Sequence, residues 1–556
     1  MRGIAGIVVA LGVVAVALAG GCGTEDGTDG LEVGPGDKVK GMGGKEDSSV
    51  LATVLDFEFE GSLVTDWAWD NRRVVQDQLL YTIGHLNHDN SVGRLDRLEI
   101  LEMDKKAGPG TNTTITYKAR MPVAWGSKTD LPESYTLTLP RDVSGSGQEA
   151  FTKKYKSTCA ESGAHDVDSG SMWYYYRPQL SACKLADGDV VRLDVAVTVS
   201  AVNTTGKYPE YHKVWEDETL KVVAVFGKYE DGAKTAADAG IAAYNEFVAA
   251  VSKRLAPYSP ETTPSPVPEK PGTNAAAVDV EFRATLTDGH KVQVNALLVD
   301  NIANASAEFY ERYEGLSTQA DLIAYNGHAG LGQNVRALAK KGKWVTGQYV
   351  IVFMNGCDTF AYVDGSLADI RKAVNPDDPT GTKYLDFVVN AMPAYFASDA
   401  EASMSLINGL LAADAPETYE QVFRRIDPSQ VVLVTGEQDN VYYPGYDPNG
   451  PPVEPPAGAW AGMSEEGTVA QEEEKRYQTP TLAAGTYLFT LAGDGDADLY
   501  VRTGTAPSAD LFDCRPYKEG SDETCKVTLG SPAVVHVMVR GFADASTYSL
   551  DGSVQQ

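Results

Sequence analysis

Between about residues 51 and 215, apolar and polar side chains alternate in short runs. Residues 114–119, 135–139 and 190–197 each carry an apolar group at every second position, with turns rich in Gly, Asn, Asp and Pro between such runs. A period of two belongs to a strand with one buried face. The pattern predicts a β-rich, antiparallel, sandwich-like module over residues 49–216. His85, His88, His165 and His212 lack ligand spacing and read as packing or surface groups.

The pattern then changes. Residues 220–226 form an almost unbroken apolar run, and Ile241, Tyr244, Phe247, Val248 and Val251 follow at helical spacing. A Pro-rich loop over 256–274 interrupts before strand-like segments resume at 278–286 and 291–299. A helical stretch holds Phe309, Tyr310 and Tyr313. Apolar strands at 321–325, 349–354, 385–390 and 431–435 then alternate with helical stretches at 335–341 and 399–412. Such alternation predicts a parallel-rich sheet covered on both faces, here over 217–445. After a Pro/Gly linker (446–472), short strands at 485–490, 497–502 and 533–539 predict a C-terminal β-sandwich over 473–556. The expected class is multidomain α/β plus β, since 556 residues exceed one core.

Composition narrows the function classes. The net charge of −30, with no Lys/Arg cluster, excludes binding to a nucleic-acid phosphate backbone. Arg2 precedes an apolar run over 4–19 that is short for a membrane span and reads as a signal. It ends in Leu18-Ala19-Gly20-Gly21-Cys22, which resembles the lipobox of bacterial lipoproteins, with the leucine one place further from the cysteine than usual. The resemblance implies a signal peptide over 1–21 and a lipid on Cys22. With Gly23 rather than Asp next, it also implies an outer-membrane location in the cell envelope. Residues 22–48, rich in Gly and acidic groups, suit a flexible tether.

An exported chain can hold disulfides. Cys159 with Cys183, and Cys514 with Cys525, lie close enough in sequence to staple local loops. Each staple is worth about 3 kcal/mol in the chain-entropy description. With Cys22 acylated, Cys357 is left over, and a leftover thiol is either buried and inert or reactive. His328 follows the apolar run 321–325, and Cys357 follows 349–354. One helical crossover separates these strands, which makes them neighbours and brings an imidazole beside a thiol. In parallel sheets, function gathers at those C-terminal strand tips. There His328 could stabilise a thiolate and protonate a leaving amine, while the backbone N–H groups of Ala329 and Cys357 could bind an oxyanion.

Tyr325-Asn326-Gly327-His328-Ala329-Gly330 and Phe353-Met354-Asn355-Gly356-Cys357-Asp358-Thr359 resemble the caspase-like cysteine peptidases. The resemblance spans roughly 218–445 and implies a cofactor-free cysteine endopeptidase acting on peptides or proteins. In it His328 is the general acid/base and Cys357 the nucleophile. Ala329 stands where that group has Gly, and Gly356 where it has Ala or Asp-Ala. Asp358, Asp399 and Glu437 are equal candidates for a specificity pocket. Gly495-Asp496-Ala497-Asp498-Leu499-Tyr500-Val501-Arg502, with Asp513-Cys514-Arg515-Pro516-Tyr517, Glu523-Thr524-Cys525 and Thr547-Tyr548-Ser549-Leu550, resembles the bacterial pre-peptidase C-terminal domain. That resemblance implies the Cys514–Cys525 pairing and favours a peptidase upstream.

Asp494, Asp496 and Asp498 alternate as calcium ligands do, but the glycine and distal glutamate of an EF-hand loop are missing, so no metal is expected. Zinc spacings, a phosphate loop, a GxSxG elbow and a dinucleotide fingerprint are absent from the sequence. The competing expectation, from another class, is a non-catalytic envelope lipoprotein that binds partners through a degenerate caspase-like domain.

Overall fold

The computed structural model describes residues 47–555 except for short internal stretches, of which 274–278 and 448–459 are the longest. The expected signal peptide, Cys22, most of the tether and His165 lie outside the described residues. After β1 (Ser48–Ser49) come β2 (Thr53–Thr65), β3 (Ser91–Gly93), β4 (Glu99–Ala107), β5 (Thr113–Trp125), β6 (Ser134–Pro140) and β7 (Val190–Val199). β2 through β7 form an antiparallel sheet in the order β3-β5-β2-β7-β6, with β4 paired to β5. Phe57, Phe59 and Leu63 of β2 and Ile115, Ala119 and Met121 of β5 are buried, as a period of two requires. The helices Asn71–Leu79, Tyr81–Asn87 and Gly145–Tyr155 share this core, so the module is not purely β. A disulfide joins Cys159 to Cys183 within it.

The second sheet holds β8 (Thr219–Gly227), β9 (Glu261–Thr263), β10 (Val280–Thr285), β11 (Lys291–Val299), β12 (Leu322–Asn326), β13 (Val350–Asn355), β14 (Leu385–Asn390) and β15 (Val432–Gly436). Its order is β1-β15-β14-β13-β12-β8-β11-β10-β9. The five strands from β11 to β14 run parallel, and β15, β1, β10 and β9 add antiparallel flanks. Burial on both faces explains the unbroken apolar runs. On β8, Val222, Ala224 and Phe226 enter one core with the helices Ala239–Leu255 and Phe396–Leu410. Val223 and Val225 enter the other, which the helix Gln333–Lys341 and the N-terminal module share.

That shared core packs the N-terminal module against the α/β body. Polar contacts reinforce it: Arg94 Nη1 donates to Thr435 Oγ1 at 2.7 Å, and the Arg94 guanidinium sits 5.4 Å from the Phe360 ring centre. Two expected loops are partly strand. Glu261–Thr263 pairs at the sheet edge, where the neighbouring prolines need not donate to a ladder. Ser48, expected at the end of the tether, and Ser49 pair with β15.

β16 (Met463–Ala470), β17 (Glu474–Leu482), β18 (Gly485–Ala492), β19 (Ala497–Thr503), β20 (Glu523–Leu529), β21 (Ala533–Gly541) and β22 (Ala545–Gln555) build the C-terminal sandwich. One sheet runs β16-β22-β18-β20 and the other β17-β21-β19, around a core of their own. The Cys514–Cys525 disulfide belongs to this unit. β16 falls inside the expected linker because Val469 is its one fully buried side chain, leaving no apolar alternation to read. Among the described residues, no helix is long and apolar enough to cross a membrane.

Candidate functional site

Three adjacent parallel strands end in asparagine, and the three side chains bond to one another. Asn326 pairs in register with Asn355, and Asn390 closes β14 beside them. Asn355 Nδ2 donates to Asn326 Oδ1 at 2.9 Å and to Asp399 Oδ1 at 3.0 Å. Asn390 Nδ2 donates to Asn355 Oδ1 at 2.9 Å and to the Gly356 carbonyl at 3.2 Å. Asp399 and Ser403 lie one turn apart on the helix Phe396–Leu410, and Ser403 Oγ completes the set by donating to Asn326 Oδ1. All five side chains are buried. Burial alone pushes the Asp399 carboxyl well above the usual carboxylate range.

This network carries the two loops singled out by the sequence. Gly327 N donates to the Asn355 carbonyl at 3.1 Å, tying the loop after β12 to the end of β13. Tyr325 Oη and Asn334 Nδ2 each donate to the His328 carbonyl at 2.8 Å. A Cβ on Gly356 would lie 2.8 Å from the Gly327 carbonyl and 3.3 Å from Ala329 N, so only glycine lets the loops approach this closely. His328 is packed between the Tyr229 and Phe396 rings, at 5.2 and 5.1 Å between centres. Its Nε2 lies 3.1 Å from the Tyr229 carbonyl, which can only accept, so the proton of the neutral ring sits on Nε2. Burial lowers its pKa below the ordinary histidine value, opposed by that carbonyl and by Asp238, Glu230 and Asp231.

Cys357 differs from the expectation. It is 6% exposed, its Sγ lies 3.7 Å from the Ala394 carbonyl, and it is bonded in a disulfide whose partner lies outside the described residues. The described chain contains no free cysteine. A disulfide sulfur carries no thiolate and cannot open acyl transfer. Ala329 and Cys357, expected as oxyanion donors, belong to adjoining backbone segments, and both residues are buried.

The three candidate pocket acids are also buried. Asp358, in a left-handed conformation with φ 54°, accepts from Asn87 Nδ2 of the N-terminal module at 3.0 Å. Burial pushes its carboxyl up to about 7, against the pull of Asn87 and Arg177. Asp399 belongs to the asparagine network, and Glu437 follows β15 near the opposite ends of the parallel strands. None of the three therefore forms the floor of an open specificity pocket. Sequence reading missed the asparagine network, although its signal was present in the three apolar strands that each close on Asn.

Comparisons with known proteins bear on the C-terminal unit. Residues 477–541 match the family model described as "Bacterial pre-peptidase C-terminal domain". The "Neutral protease" of Vibrio proteolyticus is 38% identical over 72 residues, which are 13% of this chain and 12% of that one. The "Alkaline serine exoprotease A" of Vibrio alginolyticus is 34% identical over 113 residues, 20% of this chain and 21% of its own. The "Zinc metalloprotease" of Helicobacter pylori is 38% identical over 72 residues, 13% of this chain and 28% of its own. A solution structure titled "vEP C-ter 100" is 31% identical, covering 17% of this chain and 91% of that one, with a TM-score of 0.15. The matched stretch thus spans at most 28% of these curated relatives.

The cysteine endopeptidase expected from Cys357 and His328 is corrected on two grounds. The sulfur is oxidised, and the similar proteases are named a serine exoprotease and a zinc metalloprotease. The C-terminal β-sandwich is a bacterial pre-peptidase C-terminal domain, the kind of unit this chain shares with those proteases.

Proposed function

We propose that this chain is an exported protein-degrading enzyme in which the C-terminal domain accompanies a catalytic α/β body. The observation that carries it is the pre-peptidase C-terminal domain, matched in proteins named as proteases. Protein substrates follow from the same names. The apolar N-terminal run and the two described disulfides support export. We read the α/β body as caspase-like in fold: the order β11-β8-β12-β13-β14-β15, with only β15 antiparallel among these six, supports this. The working edge is the C-terminal end of β12 to β14, with His328 as its acid/base group and Cys357 as a structural half-cystine. A denatured protein library digested by the purified full chain tests it. New termini from wild type, and their loss in His328→Ala, are expected; a library left intact by wild type overturns it.

A further inference from the structure

At the other end of the sheet lies a buried amine–carboxyl contact that the proposed site does not use. Lys207, in the segment between β7 and β8, places Nζ 2.6 Å from Oδ1 of Asp386 on β14, and both side chains are 0% exposed. Each partner is fixed from more than one side. The Lys207 carbonyl accepts from Tyr419 N at 2.8 Å, and Nζ donates to the Gly436 carbonyl at 2.6 Å. Gly436 of β15 is itself paired in register with Asp386. A Cβ on Gly436, whose φ is 96°, would lie 2.6 Å from the Leu385 carbonyl, so only glycine lets the strands meet this way.

The two Asp386 oxygens stand in different surroundings. Oδ2 accepts from Tyr349 Oη at 2.9 Å and from Tyr419 Oη at 2.8 Å. Oδ1 receives no hydrogen bond from any described donor, and the close Nζ contact itself lies outside hydrogen-bond geometry. Negative charge is therefore supported on Oδ2, while Oδ1 is the less firmly held oxygen and the one that touches the amine.

A buried ion pair carries the desolvation cost of both charges. Joining the amine and the carboxyl as an amide removes both charges, and exclusion of solvent disfavours the reverse hydrolysis. The steps balance without a co-reactant. One proton passes from the Nζ ammonium to Oδ1, which leaves a neutral amine against a carboxylic acid. The Nζ lone pair then forms a bond to Cγ, and the charge that develops on Oδ2 meets the two phenols, as in an oxyanion hole. A second proton follows from Nζ to Oδ1, the Cγ–Oδ1 bond breaks, and water leaves as the Cγ–Oδ2 double bond re-forms. The three protons of the ammonium end as one amide N–H and one water.

We propose that Lys207 and Asp386 condense into an intramolecular amide, a covalent strap that fastens the segment between the N-terminal module and the α/β body to β14. The purified full chain, denatured, reduced and digested, tests it by peptide mass. Wild type should yield a branched pair of peptides carrying Lys207 and Asp386, lighter by one water than the two linear peptides together. Its fragment ions should place the loss at the junction of the two side chains. Asp386→Ala should abolish the pair and return a linear peptide whose Lys207 is open to an amine-acylating reagent. A wild-type digest without the branched pair overturns the strap, as does a water lost from the linear Asp386 peptide alone. The wild-type digest decides even where Asp386→Ala fails to fold.

Discussion

Asn355→Ala removes the centre of the network beneath the two functional loops. Three hydrogen bonds go: those to Asn326 and Asp399, and the one received from Asn390. Asn326 Oδ1 keeps Ser403, and Asn390 Nδ2 keeps the Gly356 carbonyl, so both stay partly satisfied. Asp399 Oδ1 loses the bond it received from Asn355 in a site with almost no water access. An orphaned buried acceptor costs about 1–3 kcal/mol and each of the two other lost bonds about 0.5–1.5 kcal/mol, which totals about 2–6 kcal/mol. The described residues form three cores, so a single unfolding transition is not the right readout. Hydrogen exchange of peptides covering β12 to β14 measures the local loss directly. Ser403→Ala is the internal control, expected to lose only about 1 kcal/mol because it breaks one bond. A loss under about 1 kcal/mol in Asn355→Ala would refute the view that this network sets the strand-tip geometry.

Three further outcomes follow. Alkylation of the denatured, non-reduced chain should leave Cys357 unlabelled until reductant is added; labelling without reductant contradicts its disulfide. The double variant Cys514→Ser/Cys525→Ser should cost the C-terminal sandwich about 3 kcal/mol, read as faster exchange in β18 and β20, and unchanged exchange would oppose it. His85 is buried among Tyr135, Gln179 and the Thr138 amide, and burial lowers its pKa to about 3. Its contribution is complete above the unfolded value near 6.5 and lost as pH falls toward 3, so His85→Gln should flatten the decline in N-terminal-module stability over that window. A decline as steep as wild type would show that His85 does not drive it.

The parallel-rich body was legible because its strands are buried on both faces: Val222 to Phe226 alternate between two cores, and a run without polar interruption records that. The positions of His328 and Cys357 past neighbouring strands were legible for the same reason. The oxidation state of Cys357 was not, since disulfide partnership depends on three-dimensional approach. The shared core of the N-terminal module was also hidden. Leu86 and Val92 lie in the shared core, and nothing in their local sequence says that this core includes the α/β sheet. β16 escaped notice because an edge strand with one buried side chain has no hydrophobic period.

The most direct measurement is digestion of a denatured protein library by the full-length chain under non-reducing conditions with iodoacetamide present throughout. An exported protein-degrading enzyme whose Cys357 is a half-cystine should produce new termini at the same rate with and without the alkylating agent, and lose them in His328→Ala. No cleavage by wild type, or cleavage that the thiol reagent abolishes, would contradict it.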